Sequence, residues 1–220
     1  MQAYGLRAGV HYCVANGMTT FLDIDADRYF GLPAGCQEAF DCLTKVGAVP
    51  EPDVAALAPV INAQLLVPTD VGGDFPMPVA VPVVMESVID QVEIGPSFWK
   101  FFRAWQCQKA AERELRRKPL STVLANLANR GGSTQHSLTT PADKVLASFF
   151  ETSIVTKNHD QCLRRSIAMV HYLTQYGCYP LFVIGVRNNP FEAHAWVQIR
   201  NIALNDDVEK IGRFTPILAI

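Results

Sequence analysis

The sequence predicts an α+β protein built in two parts, and three observations carry that reading. Residues 11–15 and 19–24 read as strands on either side of Asn16-Gly17, a dipeptide that suits the turn of a β-hairpin. KNHDQCLRRSIAMVHYLTQYG, residues 157–177, places Leu163, Ile167, Val170 and Leu173 at helical spacing and ends at Gly177, and two apolar strands, 181–186 and 194–200, follow. Between these regions, residues 68–97 include the run PTDVGGDFPMPVAVP, whose prolines and glycines suit neither a continuous helix nor a continuous strand.

The first part continues with a third short strand near Tyr29, Phe30 and Leu32. A helix is expected from Gly35 to Lys45, with Cys36, Ala39, Phe40 and Leu43 on one face and Gly47 as its stop. EPDVAALAPVINAQ, residues 51–64, reads as a second helix interrupted at Pro59, and Leu65 to Val67 as a short strand. A hairpin, short helices and a length of about 70 residues, near the lower limit of independent folding, suggest a winged-helix-like module. The expected division is residues 1–75, a linker over 76–96, and a second domain over 97–220.

The second part opens with a helix over 97–118. Phe98, Phe101, Phe102 and Trp105 form an aromatic stripe, read as a core or packing face. Its end, AERELRRKP, reads as a solvated face with cations at a helix C-terminus. STVLANLANR is a short helix stopped by Gly131-Gly132. Thr140-Pro141-Ala142-Asp143 has the chemistry of a helix start, and residues 143–155 carry Val145, Leu146, Phe149 and Phe150 on one face.

Composition narrows the function. The 220 residues are 49% hydrophobic and carry a formal charge of −2, without the basic excess of a general nucleic-acid binder. MQAYGLRAGV lacks the pattern of a signal peptide, and the apolar stretch 76–85 is too short to span a bilayer, so no transmembrane segment and a cytoplasmic location are expected. Six cysteines lack C-x-x-C spacing, and no H-E-x-x-H occurs, so no metal is expected. Gly72-Gly73 and Gly131-Gly132 lack a following Lys-Ser/Thr, so no nucleotide loop or other directly bound cofactor is expected either.

Cys162 is the candidate nucleophile. It falls in or near the first turn of the helix that ends at Gly177, with Asn158 or Asp160 as candidate caps, and a helix N-terminus favours a thiolate. His194 begins the strand HAWVQIR. There Ala195, Val197 and Ile199 point to the core, and His194, Trp196, Gln198 and Arg200 to the polar side of a half-buried sheet. A turn at Asn201 would return the chain and bring Asp206 or Asp207 beside His194, where a carboxylate orients an imidazole. Helix-borne Cys, strand-borne His and next-strand Asp form the arrangement of a papain-like or transglutaminase-like core.

In CLRRSIAMVHYLTQYG, LFVIGVR, NPFEAHAWVQI and ALNDD the chain resembles the B protein of lasso-peptide biosynthesis, the transglutaminase-like leader peptidase of the microcin type. That resemblance implies Cys162 as nucleophile, His194 as base and Asp206 as acid, with Asp207 as the fallback. VANGMTTFLDIDADRYFGLPAGCQEAFDCL resembles the leader-recognition module of ribosomal-peptide maturation, where a leader adds as a strand to a sheet edge. The leader groove is then expected at Thr20, Phe21, Leu22, Asp23, Ile24, Leu57, Val60 and Leu65. The implied function is cleavage of a lasso-peptide precursor at its leader–core junction. The implied partner is an asparagine-synthetase-like cyclase, through which ATP enters to close the macrolactam. The alternatives are acyl transfer by the same three residues, or a non-catalytic leader-binding scaffold.

Overall fold

The computed structural model describes residues 1–69, 75–89, 98–130, 146, 149 and 161–220. Those residues form a mixed α+β fold. The chain opens with β1 (Gln2–Leu6), a strand that no local pattern announces. It pairs antiparallel with two short strands, β5 (Ala48–Val49) and β6 (Leu66–Pro68). The expected hairpin forms as β2 (Val10–Ala15) and β3 (Met18–Asp23). Asn16 and Gly17 join them at φ of 52° and 75°, the left-handed pair that a two-residue hairpin turn requires. β4 (Arg28–Gly31) then adds to the other edge of β3.

α1 (Gln37–Val46) follows a single turn of 3-10 helix. It ends at Gly47, whose φ of 73° and N–H bond to the Leu43 carbonyl at 2.8 Å make a left-handed cap. The 51–64 segment is two helices, α2 (Glu51–Ala56) and α3 (Ala58–Asn62), meeting at Leu57. Pro59 lies in the first turn of α3, where its missing N–H leaves no intrahelical bond unmade.

Period-2 alternation sends the β2–β3 side chains into two different cores. Val10, Tyr12 and Phe21 pack with Phe40, Leu43, Leu57, Val60 and Leu65. Cys13, Ala15, Leu22 and Ile24 instead join the large core of the C-terminal half. The β2-β3-β4 sheet is therefore a middle layer buried on both faces.

The C-terminal half sets three helices, α4 (Phe98–Arg117), α5 (Leu120–Ala128) and α6 (Cys162–Thr174), against a five-stranded sheet. The strands are β7 (Glu86–Ser87), β8 (Leu181–Arg187), β9 (Glu192–Ile199), β10 (Ile202–Ala203) and β11 (Thr215–Ala219), in the order β11-β8-β9-β10-β7. A short helix, α7 (Val208–Ile211), precedes β11. The stretch expected to be a linker contributes β7, which pairs parallel with β10.

Two expectations are corrected. The aromatic stripe of α4 does not face the core: Phe102 and Trp105 are exposed and Phe101 is half-buried, while Ala104, Cys107 and Ala111 are buried. Small residues let α4 approach α6 closely, and their stripe has the same period as the aromatic one. The Phe98 side chain lies outside the described residues. The polar side of β9 is not open either. His194, Trp196 and Gln198 are all buried, because Val81 and Val84 pack on the Trp196 cluster and Gln198 Nε2 donates to the Pro82 carbonyl at 2.8 Å. The charged end of α4 is as expected, with Arg116–Glu112 at 2.7 Å and Lys118–Glu114 at 2.9 Å as i,i+4 pairs. The helix expected over 143–155 lies outside the described residues except for Leu146 and Phe149, both helical and buried.

Gly185 shows how tightly the second face is closed. A Cβ there would stand 2.7 Å from Trp196 Cζ3 and 3.1 Å from Phe214 Cβ. Gly185→Ala is expected to cost about 1–3 kcal/mol through overpacking and to lower Tm by roughly 2–4 °C per kcal/mol. A thermal melt followed by tryptophan fluorescence checks this.

Candidate active site

α6 begins at Cys162, with Gln161 as its N-cap. The cap is neither Asn158 nor Asp160, which lie outside the described residues, and Gln161 makes no side-chain capping bond. Cys162 therefore occupies the first helical position, where backbone N–H groups lack intrahelical partners. Its sulfur lies close enough to His194 for the imidazole to act on the thiol. His194 sits on β9 and meets Asp206 at 2.5 Å through Nε2, which leaves Nδ1 for the sulfur. The chain returns after Asn201 as expected, through β10. Asp206 is the carboxylate at the imidazole, and Asp207 is the N-cap of α7.

The three groups shift one another. Burial alone would push the Cys162 thiol up. The His194 hydrogen bond and the backbone N–H groups of Ala195 and Leu163 outweigh it and hold the thiol below its ordinary value. Burial pulls the His194 imidazole down, but the bonds to Asp206 and Cys162 lift it above the ordinary histidine value, against the charge of Lys210. Burial would raise Asp206, and its bonds to His194 and Lys210 keep it below the usual carboxylate range. The other shifted thiols move the opposite way: burial pushes Cys36, Cys107 and Cys178 up, and Cys13 up to about 12. All six cysteines are free.

Several supporting residues were not visible as such in the sequence. Ser166, one turn after Cys162, is fully buried and donates to the Ala195 carbonyl at 2.9 Å. Asn205 Nδ2 donates to Ser166 Oγ at 2.8 Å, and Asn205 Oδ1 accepts from the Val197 N–H at 2.8 Å. Lys210 donates to Asp206 Oδ2 at 2.9 Å, and Ser87 donates to the Asp206 carbonyl at 2.9 Å. The i+4 spacings from Cys162 to Ser166 and from Asp206 to Lys210 were readable signals. Ser87 gave none, because it arrives through the parallel pairing of β7. Tyr29 on β4 packs against Phe191, and burial, then the Asp27 and Cys162 charges, push its hydroxyl up to about 12.

The eight residues expected in a leader groove are all buried. Phe21, Leu57, Val60 and Leu65 belong to the N-terminal core, and Leu22 and Ile24 to the larger one. Thr20 Oγ1 accepts from Asn188 Nδ2 at 3.2 Å. Asp23 pairs with Arg7 and accepts the Asp25 and Ala26 N–H groups, each at 3.1 Å. β3 has a strand on each side. Among the described residues the outer edge of β4 has no strand partner.

His171, read as structural, meets Glu114 Oε2 at 3.1 Å and lines a cavity of about 750 Å³ with Arg113 and Arg130. No group of three or more His, Cys, Asp or Glu among the described residues is placed to hold a metal ion. No helix among them is long and apolar enough to cross a membrane.

A helix-borne thiol, a strand-borne imidazole and a carboxylate just beyond the next turn define a class. The family model of the transglutaminase-like superfamily matches residues 106–219, and the chain belongs to that superfamily. The matching family is the domain found in lasso-peptide biosynthesis protein B, which points to cysteine-hydrolase-like activity and a general role in leader processing. Comparison with curated proteins and with solved structures gives no match.

The direction of the Cys162 shift gives a test. Alkylation by iodoacetamide is expected to reach half its maximal rate below the pH of a free thiol, about 8.5. In His194→Ala the opposing bond is gone and burial acts, so the midpoint moves upward. Asp206→Asn removes the carboxylate that lifts His194, so alkylation at neutral pH slows. Mass spectrometry of the Cys162 peptide over a pH series reads all three.

Proposed function

We propose that this chain is a cysteine peptidase that removes the leader from a lasso-peptide precursor. The reading rests on one observation, the Cys162 thiol at the start of α6 beside the hydrogen-bonded pair His194–Asp206. In it, His194 draws the proton from Cys162 and the thiolate attacks the carbonyl at the leader–core junction. The Cys162 N–H, free at the helix start, contributes to the oxyanion hole. The imidazolium protonates the departing amine, which becomes the core N-terminus. Water then adds to the thioester with His194 as base, giving the leader acid and the free thiol. Asp206 holds the imidazole and supports its charge. The partner is an asparagine-synthetase-like cyclase, which activates a core carboxylate with ATP and closes the ring onto the new amine. The work is cytoplasmic in this reading.

The proposal divides the chain into a winged-helix-like recognition module over residues 1–75, a connecting stretch over 76–96 and a papain-like or transglutaminase-like peptidase over 97–220. Leader capture is assigned to strand addition at β4, whose outer edge has no strand partner among the described residues, with Thr20–Ile24, Leu57, Val60 and Leu65 shaping the module from within. Tyr29, on that strand, links the edge to Cys162.

The test is mass spectrometry of a leader-bearing precursor incubated with the chain, the cyclase and ATP. Cys162→Ala is expected to reduce cleavage at least about a thousandfold while leader binding persists. A leader amide instead of a leader acid would mean acyl transfer. Equal cleavage by both proteins would remove the peptidase assignment.

A further inference from the structure

Among the described residues, the buried side-chain nitrogen and oxygen atoms without a hydrogen-bond partner are Gln161 Oε1, Arg164 Nε and Nη2, and Arg165 Nε. All of them belong to residues beside Cys162. A buried polar atom without a partner loses its hydration and gains nothing, so folded proteins keep few of them. Their collection at one place calls for a physical reason.

Arg164 is partly accounted for. Its Nη1 stands 3.7 Å from Glu112 Oε2, on the side of α6 that meets α4. Arg165 is different. Three positions after Cys162, it shares the helix face of the thiol. It joins no ion pair among the described residues, and Asp206, whose charge acts on it, already accepts from His194 and Lys210 through Oδ2. Gln161, on the other side of the nucleophile in sequence, presents a buried acceptor. A purely structural arginine would spend its donors on the fold. The Cys162 charge also acts on Arg165, but the groups that outweigh burial of the thiol are His194 and the backbone N–H groups of Ala195 and Leu163.

We propose that Arg165 and Gln161 form a polar subsite beside the nucleophile that engages the substrate group attacked by Cys162. Arg165 donates to an oxygen acceptor of that group, a main-chain carbonyl or a carboxylate, and Gln161 Oε1 accepts from its amide N–H. The idea deepens the peptidase reading and rests on it for the nature of the substrate. An acceptor arriving at a partly dehydrated guanidinium makes a charge-assisted bond that the free protein lacks. Lysine places a charge there but not the Nε donor.

The experiment alkylates Cys162 in the full chain with iodoacetate and with iodoacetamide, read by mass spectrometry of the Cys162 peptide. Both reagents deliver the same methylene carbon to sulfur; one carries a carboxylate, the other an amide. Arg165→Met is expected to lower the iodoacetate-to-iodoacetamide rate ratio at least about fivefold, and Arg165→Lys to lower it less. The iodoacetamide pH midpoint should rise far less in Arg165→Met than in His194→Ala, and Gln161→Leu should slow iodoacetamide more than iodoacetate. An unchanged ratio in Arg165→Met overturns the proposal. So does a midpoint raised as far as in His194→Ala, which would make Arg165 chiefly a support of the thiolate. No peptide is cleaved in this assay, so it stays readable if the chain proves not to be a peptidase. On a cleaved precursor, changing acidic residues beside the junction to their amides reproduces the Arg165→Met loss for a carboxylate and spares activity for a main-chain carbonyl.

Discussion

Ser166, Asn205 and the Ala195 carbonyl form a buried polar link between the first turns of α6 and the strand that carries His194. Each member is satisfied. The Ser166 hydroxyl donates to Ala195 and accepts from Asn205, and Asn205 also holds the Val197 N–H. A typical hydrogen bond adds only about 0.5–1.5 kcal/mol net, but a buried group stripped of its partner costs about 1–3 kcal/mol. The helix therefore cannot slide or rotate on the strand without stranding several groups together. Because Ser166 lies one turn from Cys162 and Asn205 precedes Asp206, one link sets thiol, imidazole and carboxylate in a single frame.

Burial of both sheet faces gives that frame its chemistry. Val81 and Val84 cover the side that carries His194, and Ser87 ties the same strap to the Asp206 backbone. In such surroundings a charge needs a partner, so His194 and Asp206 are coupled, and Lys210 shares the carboxylate. On the other side, the β2-β3-β4 sheet contributes Cys13, Ala15, Leu22 and Ile24 to the large core. Asn188, just after β8, donates to the Ala15 carbonyl at 3.1 Å and fixes the hairpin to the sheet that carries His194. Tyr29 then reaches the neighbourhood of Cys162 from the N-terminal half.

What was legible in the sequence was local. Asn16-Gly17 specified the hairpin, Gly47 the end of α1, and the 3.6 period the extent of α6. The placement of Cys162 and His194 was legible because each lies at or near the start of an element of clear period, and that of Asp206 because a short turn returns the chain. What depended on distant partners was not legible. β1, β5 and β7 are too short or too unpatterned to announce themselves, and each exists through its pairing. On α4 the aromatic and small-residue stripes share one period, so periodicity marked a face without choosing between them. The alternation of β9 was read as one dry and one wet face because nothing near it in sequence reveals the strap of residues 81–84. The same limit applied to Thr20–Ile24, whose strand is central once β4 has formed.

The contrast among the cysteines follows from the balance between burial and hydrogen bonding. Cys13 lies in an apolar core, and a rise from an ordinary 9.0 to about 12 disfavours its thiolate by ~4 kcal/mol. Cys162 is also largely withdrawn from water, and burial is again the largest single influence on it, yet its thiol shifts downward. The difference lies in donors: an imidazole held by Asp206, and two backbone N–H groups placed by the start of α6 and by β9. Each is weaker than the desolvation it opposes, and only their sum reverses the sign. Reactivity at Cys162 is thus a property of where a helix starts relative to a strand, which returns the argument to the buried serine that holds them together.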